Sequence, residues 1–254
     1  MAFPSLIAQT FIENWPDEVA ELSFRQEKII LSAEDTIALG ACTPQFRETM
    51  KAHGSYTLST QFLAALDKAM ARFPDGAMPR IGYCSWKDSC LLNEPARSAR
   101  QVLSIITRPN PRVAAALQQN AVHGHETAFF LRQWVAIPPW SEFRMFMRNR
   151  KFYGISQYYY RDLFPEIERN LSAICKALFE FCAKFRHISH METVIVDVFL
   201  RPSADGLDAC LIELNPHNPR ADPCFYSWEG AGDFDGRLRF RNTQGQVVTV
   251  RLAA

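Results

Sequence analysis

The stretch Thr193-Val194-Ile195-Val196-Asp197-Val198-Phe199-Leu200, followed after a turn by Ala209-Cys210-Leu211-Ile212-Glu213-Leu214-Asn215, decides how this chain reads. Both pieces are short, apolar and partly β-branched, and Pro202 and Asp205-Gly206 lie between them, so they predict two neighbouring strands. Side chains alternate across a strand. Val194, Val196 and Val198 face one way; Ile195, Asp197 and Phe199 face the other. In the second piece Cys210, Ile212 and Leu214 share a face, and Leu211, Glu213 and Asn215 share the opposite one. If the strands pair as a hairpin, Asp197, Glu213 and Asn215 converge on one face. Two carboxylates among apolar neighbours are costly unless something positive sits between them. Three hard oxygen ligands suit Mg²⁺, which keeps waters and shares its sphere with phosphates. The residues leave a second reading open, in which Asp197 is an edge-strand charge facing water and Asn215-Pro216 starts a loop. Under the metal reading, mutual repulsion of the carboxylates predicts that Asp197→Ala leaves the metal-free protein as stable or slightly more so.

Working outward, residues 129–135 (FFLRQWV) form a strongly apolar strand ended by Pro138-Pro139. Residues 142–148 and 152–160 predict two strands around Asn149-Arg150-Lys151, a hairpin by length and turn chemistry. Pro165 opens one long helix whose stripe is Ile167, Leu171, Ile174, Leu178, Phe181 and Phe185. Upstream, residues 25–31 are strand-like, Ser59 and Thr60 cap a helix reaching about residue 73, and Pro79 opens a strand over 80–84. Residues 97–119 read as mixed, with a loop at 108–111 before a short Ala-rich helix; residues 225–242 read as irregular. Hairpins mixed with helices give an α+β fold. On one face of a strand, Glu142 and Arg144 stand two apart, with Arg132 on the preceding strand. Such arginines clamp phosphate oxygens, or Arg144 and Glu142 form an ordinary pair.

The chain has 254 residues, 28 Lys+Arg against 27 Asp+Glu, 48% hydrophobic and 22% charged. That is enough chain for one large domain or two small ones. A net charge of +1 gives no support to broad electrostatic capture of nucleic acid, so no nucleic-acid partner is expected. No run of 18 apolar residues predicts a membrane span. The first fifteen residues make a poor secretory signal. Seven cysteines, an odd number without a CxxC pair, suggest buried thiols in a reducing, cytoplasmic setting.

Several ordered motifs resemble the D123 (Cdc123-like) family. Leu131-Arg132-Gln133-Trp134, Glu142-Phe143-Arg144-Met145-Phe146 and Gly154-Ile155-Ser156-Gln157 are similar to its LRKW…EFRCF…ISQ pattern. Val196-Asp197-Val198-Phe199 and Ile212-Glu213-Leu214-Asn215-Pro216 resemble FDVY and IDINP. Asp222-Pro223 with Phe225-Tyr226-Ser227-Trp228-Glu229 resembles TDPLLFTWEE, and residues 79–88 (PRIGYCSWKD) align without a gap on PKLNWSSPKD. The likeness covers roughly residues 11–230, with the strongest motifs in 129–229.

What the resemblance implies is an ATP-grasp fold, two lobes of antiparallel sheet and helices with ATP and Mg²⁺ between them. The implied organisation is an N-terminal region at 1–78, a central lobe at 79–135 and a C-terminal lobe at 136–254 carrying the metal ligands. Asp197, Glu213 and Asn215 become the metal set. Arg132, Gln133, Trp134 and Val135 become the adenine-holding hinge, and Arg144, with Glu142 beside it, approaches the phosphates or orders the metal ligands. The family's phosphate-contacting lysine aligns with Arg80, which keeps the charge without the point-charge geometry; Lys87 lies in the same motif. The Asp of IDINP is Glu213, and ISQRDY becomes Ile155-Ser156-Gln157-Tyr158-Tyr159-Tyr160. Eukaryotic members, named for a cell-division-cycle phenotype, are ATP-dependent assembly factors joining the α and γ subunits of translation initiation factor 2. The expected partners are therefore ATP and a protein client such as that γ subunit. Two other activities fit the same implied fold: a ligase acting through an acyl-phosphate, and a degenerate interaction scaffold.

Overall fold

The computed structural model describes residues 5–86, 94–229 and 232–252, and the chain divides into two units. The first comprises Met1–Glu13 and Arg25–Val135; the second comprises Asn14–Phe24 and Ala136–Ala254.

In the first unit four strands, β1 (Gln26–Ile30), β2 (Ala77–Ile81), β3 (Cys84–Ser85) and β4 (Ala128–Gln133), form an antiparallel sheet of order β1-β4-β2-β3. Phe129 pairs with both Ile29 and Ile81, so these apolar residues share one face. Helices Thr60–Met70, Ala99–Ile106 and Pro111–His123 cover it, with Phe62, Leu66, Val102, Ile106 and Leu117 in the common core. The predicted strand at 80–84 begins earlier, at Ala77, and runs through Pro79. Pro79 is tolerated there because β3 pairs only with Arg80 and Ile81, leaving no ladder bond for the missing N–H. The "mixed" segment contains the helix Ala99–Ile106, capped by Ser98 on Gln101.

Ser59 caps its helix as expected, its Oγ accepting from the Phe62 N–H at 3.1 Å. It does more: the buried Asp35 carboxylate accepts from the Ser59 N–H at 2.7 Å, the Ser59 hydroxyl at 2.8 Å and the Ser32 hydroxyl at 2.8 Å. Ser32 caps the helix Ala33–Gly40, so one carboxylate ties two helix starts together. Ser59→Ala should lower stability by about 1–2 kcal/mol, read as a shift of the urea midpoint with unchanged slope. A loss below about 0.3 kcal/mol would mean that this link contributes nothing.

The second unit holds β5 (Glu142–Arg148), β6 (Lys151–Gln157), β7 (Val194–Ser203), β8 (Gly206–Asn215), β9 (Leu238–Arg241) and β10 (Val247–Val250) in the order β10-β9-β6-β5-β7-β8. Every neighbouring pair is antiparallel except β6 with β9. The predicted hairpin forms on Asn149 and Arg150, both left-handed at φ 51° and 60°, the geometry of a two-residue turn matched to strand twist. The helix predicted from Pro165 is two helices, Pro165–Arg169 and Leu171–Ile188, separated at Asn170, whose amide donates to the Glu166 carbonyl at 2.8 Å. The β7–β8 ladder continues past Pro202, which faces Leu207, so the predicted turn shrinks to Ala204-Asp205 before Gly206 at φ 128°. The tail read as irregular supplies β9. Leu22 and Ser23 join this unit by hydrogen bonds to Leu211, and Phe24 stacks on Phe199 with centroids 5.4 Å apart.

Cysteines 42, 84, 175, 182, 210 and 224 are free thiols. Among the described residues no helix is long and apolar enough to cross a membrane.

Candidate functional site

The register of β5, β7 and β8 settles which side chains meet. Asp197 lies opposite Arg144 on one side and opposite Glu213 on the other, and Ile195 faces Asn215. Paired residues share a face, so Arg144, Asp197, Glu213 and Asn215 all project from one side of the second sheet. A bulge on β8 at Ile212 intervenes between the Asp197–Glu213 and Val198–Leu211 pairs. It places Leu211 on the Val198 face, not with Glu213 as strict alternation predicts, a re-aiming typical of bulges near sites. β7 is flanked on both sides, and Asp197 is 1% exposed; it is no edge-strand charge.

Arg144 grips Asp197 bidentately. Nε donates to Oδ1 and Nη2 to Oδ2, both at 2.8 Å, while the Asn215 amide donates to Oδ2 at 2.9 Å. Burial opposes the charge on Arg144, but the facing carboxylate of Asp197 holds the guanidinium firmly protonated. This overturns the expectation that Asp197 is chiefly repelled by Glu213: its nearest charge is a buried cation. The Glu142–Arg144 pairing is likewise replaced by Arg144–Asp197. Glu142 instead accepts the Tyr158 N–H on its carbonyl at 3.0 Å, and its carboxylate, after burial and with Asp162, keeps the Tyr159 phenol protonated.

Residues outside the expected set complete this environment. Arg144 Nη1 donates to the Asp222 carbonyl at 3.1 Å, and the guanidinium lies 4.9 Å from the Tyr158 ring centre. The Asp222 carboxylate accepts the Cys224 N–H at 2.8 Å, which turns the chain so that Phe225 donates to the Ser156 hydroxyl at 3.2 Å. Ser156 sits opposite Arg144 and is fully buried. Burial pushes the Cys224 thiol up to about 12, with Arg144 acting against the shift, so this cysteine is a neutral spacer and no nucleophile. The Asp-Pro-Cys turn signature was the signal for Asp222; the Tyr158 contact had none.

In the first unit, Arg80 faces Phe130, and Met78 faces Arg132. Arg80 and Arg132 therefore project from one sheet face, the one turned away from Ile29, Ile81 and Phe129, and both are buried. The Gln133 and Trp134 N–H groups are engaged by the Arg25 and Gly76 carbonyls at 2.8 and 3.1 Å. Val135 ends the first unit. Lys87 lies outside the described residues. Among the described residues no group of three His, Cys, Asp or Glu could hold a metal ion; the expected set instead combines two carboxylates with an amide oxygen.

A family model described as D123 matches residues 105–248. A protein of Botryotinia fuckeliana named translation initiation factor eIF2 assembly protein is 34% identical over 101 residues, 39% of this chain and 24% of that protein. Proteins of the same name from Kluyveromyces lactis and Xenopus laevis are each 30% identical, over 132 and 102 residues. These matches cover 47% and 39% of this chain, and 34% and 29% of the relatives. The matches thus span about a quarter to a third of those relatives' lengths. The structure of Cdc123 from Schizosaccharomyces pombe covers 90% of this chain and 92% of its own at TM-score 0.69 and 16% identity. A C-terminally truncated form gives 0.71, covering 90% and 91% at 16% identity. This likeness is one of fold: α+β with two sheets.

Proposed function

Since this chain belongs to the D123 family, we propose that it binds ATP with Mg²⁺ and assists assembly of a protein complex in the cytoplasm, its client being the γ subunit of translation initiation factor 2. The names of its relatives support the client class. The observation that carries the nucleotide reading is the buried Arg144–Asp197 pair, joined by the half-buried Asn215, with Glu213 on the same face.

The donor chemistry fits a hard divalent cation. Each carboxylate oxygen has two lone-pair sites, and Asp197 Oδ1 accepts one of the hydrogen bonds described above while Oδ2 accepts two. Asn215 turns its amide N–H₂ toward Asp197, which leaves its oxygen for a cation, and Glu213 adds a carboxylate. Two carboxylates with one guanidinium carry one negative charge, so Mg²⁺ would reverse the local sign and favour a polyphosphate. Bound Mg²⁺ neutralises and orients phosphate oxygens. Arg144 fixes the plane of the Asp197 carboxylate through its two hydrogen bonds, which makes it a positioning residue. By the family pattern Arg80 and Lys87 would supply cations to the phosphates, while Arg132 belongs to the adenine-holding segment. With the N–H groups of Gln133 and Trp134 engaged within the unit, adenine contacts would fall to the other backbone groups of that segment and to the side chains of Trp134 and Val135.

The test is capture of a purified translation initiation factor 2 γ subunit with ATP·Mg²⁺ and with EDTA. Nucleotide-dependent capture is the expected result; no capture under either condition removes the client assignment. Phosphate release that requires a small carboxylic acid would replace assembly by the ligase reading.

A further inference from the structure

On the reverse face of the second sheet, away from Asp197, a groove of about 610 Å³ opens beside the helix Leu171–Ile188 and the strands β6 and β9. Its lining carries five cations, Arg150, Lys151, Arg186, Arg237 and Arg251, against one carboxylate, Asp235. That carboxylate is already engaged: it accepts from the Arg237 N–H at 3.2 Å and the Tyr226 hydroxyl at 3.4 Å, and lies 3.4 Å from Arg239. Arg150 is partly committed, donating to the Arg186 and Ser189 carbonyls at 3.2 and 2.9 Å, with Glu192 at 3.9 Å. Among the described residues Lys151, Arg186, Arg237 and Arg251 form no ion pair. The floor is apolar, with Phe152, Leu252 and Phe179, an aromatic ring 38% exposed on the helix.

We propose that this groove docks an acidic segment of a protein partner, with carboxylates on Arg186, Arg237 and Arg251 and one apolar side chain against Phe179 and Phe152. Guanidinium forks match carboxylates bidentately. A partly exposed aromatic ringed by charge is the composition of an interface centre with a polar rim. A net charge of +1 over the whole chain argues for a short, local anionic ligand over a polyanion, which gains from a broad basic field. The groove carries this inference whatever the Asp197 face binds.

The probe is a short fluorescent peptide with Phe flanked by Asp and Glu, titrated against the full chain by anisotropy. Binding should weaken with salt. It should fall about tenfold or more in the double variant Arg186→Glu with Arg237→Glu, since rim charges act singly at a fraction of a kcal/mol and reversal doubles the change. Phe179→Ser should cost about fivefold. All three substituted side chains are exposed or half-buried, so circular dichroism should show a folded protein. Equal affinity for the Asn/Gln version of the peptide, tighter binding of an oligouridylate, or no binding to the folded protein would each overturn the proposal. Glu213→Gln should leave peptide affinity unchanged, which separates failure of the groove from failure of the nucleotide reading.

Discussion

Asp197→Ala is expected to lower the unfolding free energy by about 3–5 kcal/mol, because it strands the buried Arg144 guanidinium without its carboxylate. Arg144 and Asp197 have side chains 8% and 1% exposed, so water cannot replace the lost partner fully. Arg144→Ala should cost a similar amount for the mirrored reason. The double variant Arg144→Met with Asp197→Leu should recover much of the loss, since apolar residues of similar volume often replace a buried ion pair at little cost. Urea unfolding of the four proteins gives the coupling directly. Additive single losses, or a loss below about 1 kcal/mol for Asp197→Ala, would show that the pair is not the buried unit its geometry implies. Loss of nucleotide binding in Asp197→Ala alone does not identify a metal ligand, because the same change disturbs the fold.

Glu213→Gln is the cleaner probe of the metal. With ATP and Mg²⁺ at about 100 times the dissociation constant, the wild-type chain should gain roughly 2.7 kcal/mol of stability by mass action. EDTA should remove most of that gain. Glu213 is half-buried, and glutamine keeps its shape, so apo stability should change by less than about 1 kcal/mol. The Mg²⁺-dependent gain should disappear in the variant. If the variant gains as much as wild type, Glu213 is not a ligand; if wild type gains equally with EDTA, no metal links the nucleotide to this face.

Much of the fold was legible because period and capping act locally. The alternation in 193–200 and 209–215 was enough to bring Asp197, Glu213 and Asn215 to one face, and Ser59 announced its helix. What escaped notice depended on distant partners. The apolar stripe from Ile167 to Phe185 runs unbroken across Asn170, so periodicity could not show that the helix stops and restarts there. β9 has four residues, and its parallel partner β6 lies some eighty positions upstream. The bulge at Ile212 follows from the ladder, not from the residue. The same limit hid the partner of Arg144: Glu142 stands two residues away, whereas Asp197 stands 53 away, and only the strand register chooses between them.

The passage of Asn14–Phe24 through the second unit sets an order of synthesis. Ser23 hydrogen-bonds Leu211 across 188 residues, and a ribosome adding about 5–20 residues per second needs roughly 10–40 s to make that span. During this interval residues 25–135 can all emerge, while Ser23 has no Leu211 to bond and Phe24, buried in the finished protein, has no Phe199 of β7 to stack on. Pairings between distant strands are also slow to close. The earliest-made part of the second unit is thus among the last to be covered, and the nascent chain presents there a short apolar segment, a foothold for holding chaperones until β7 and β8 arrive.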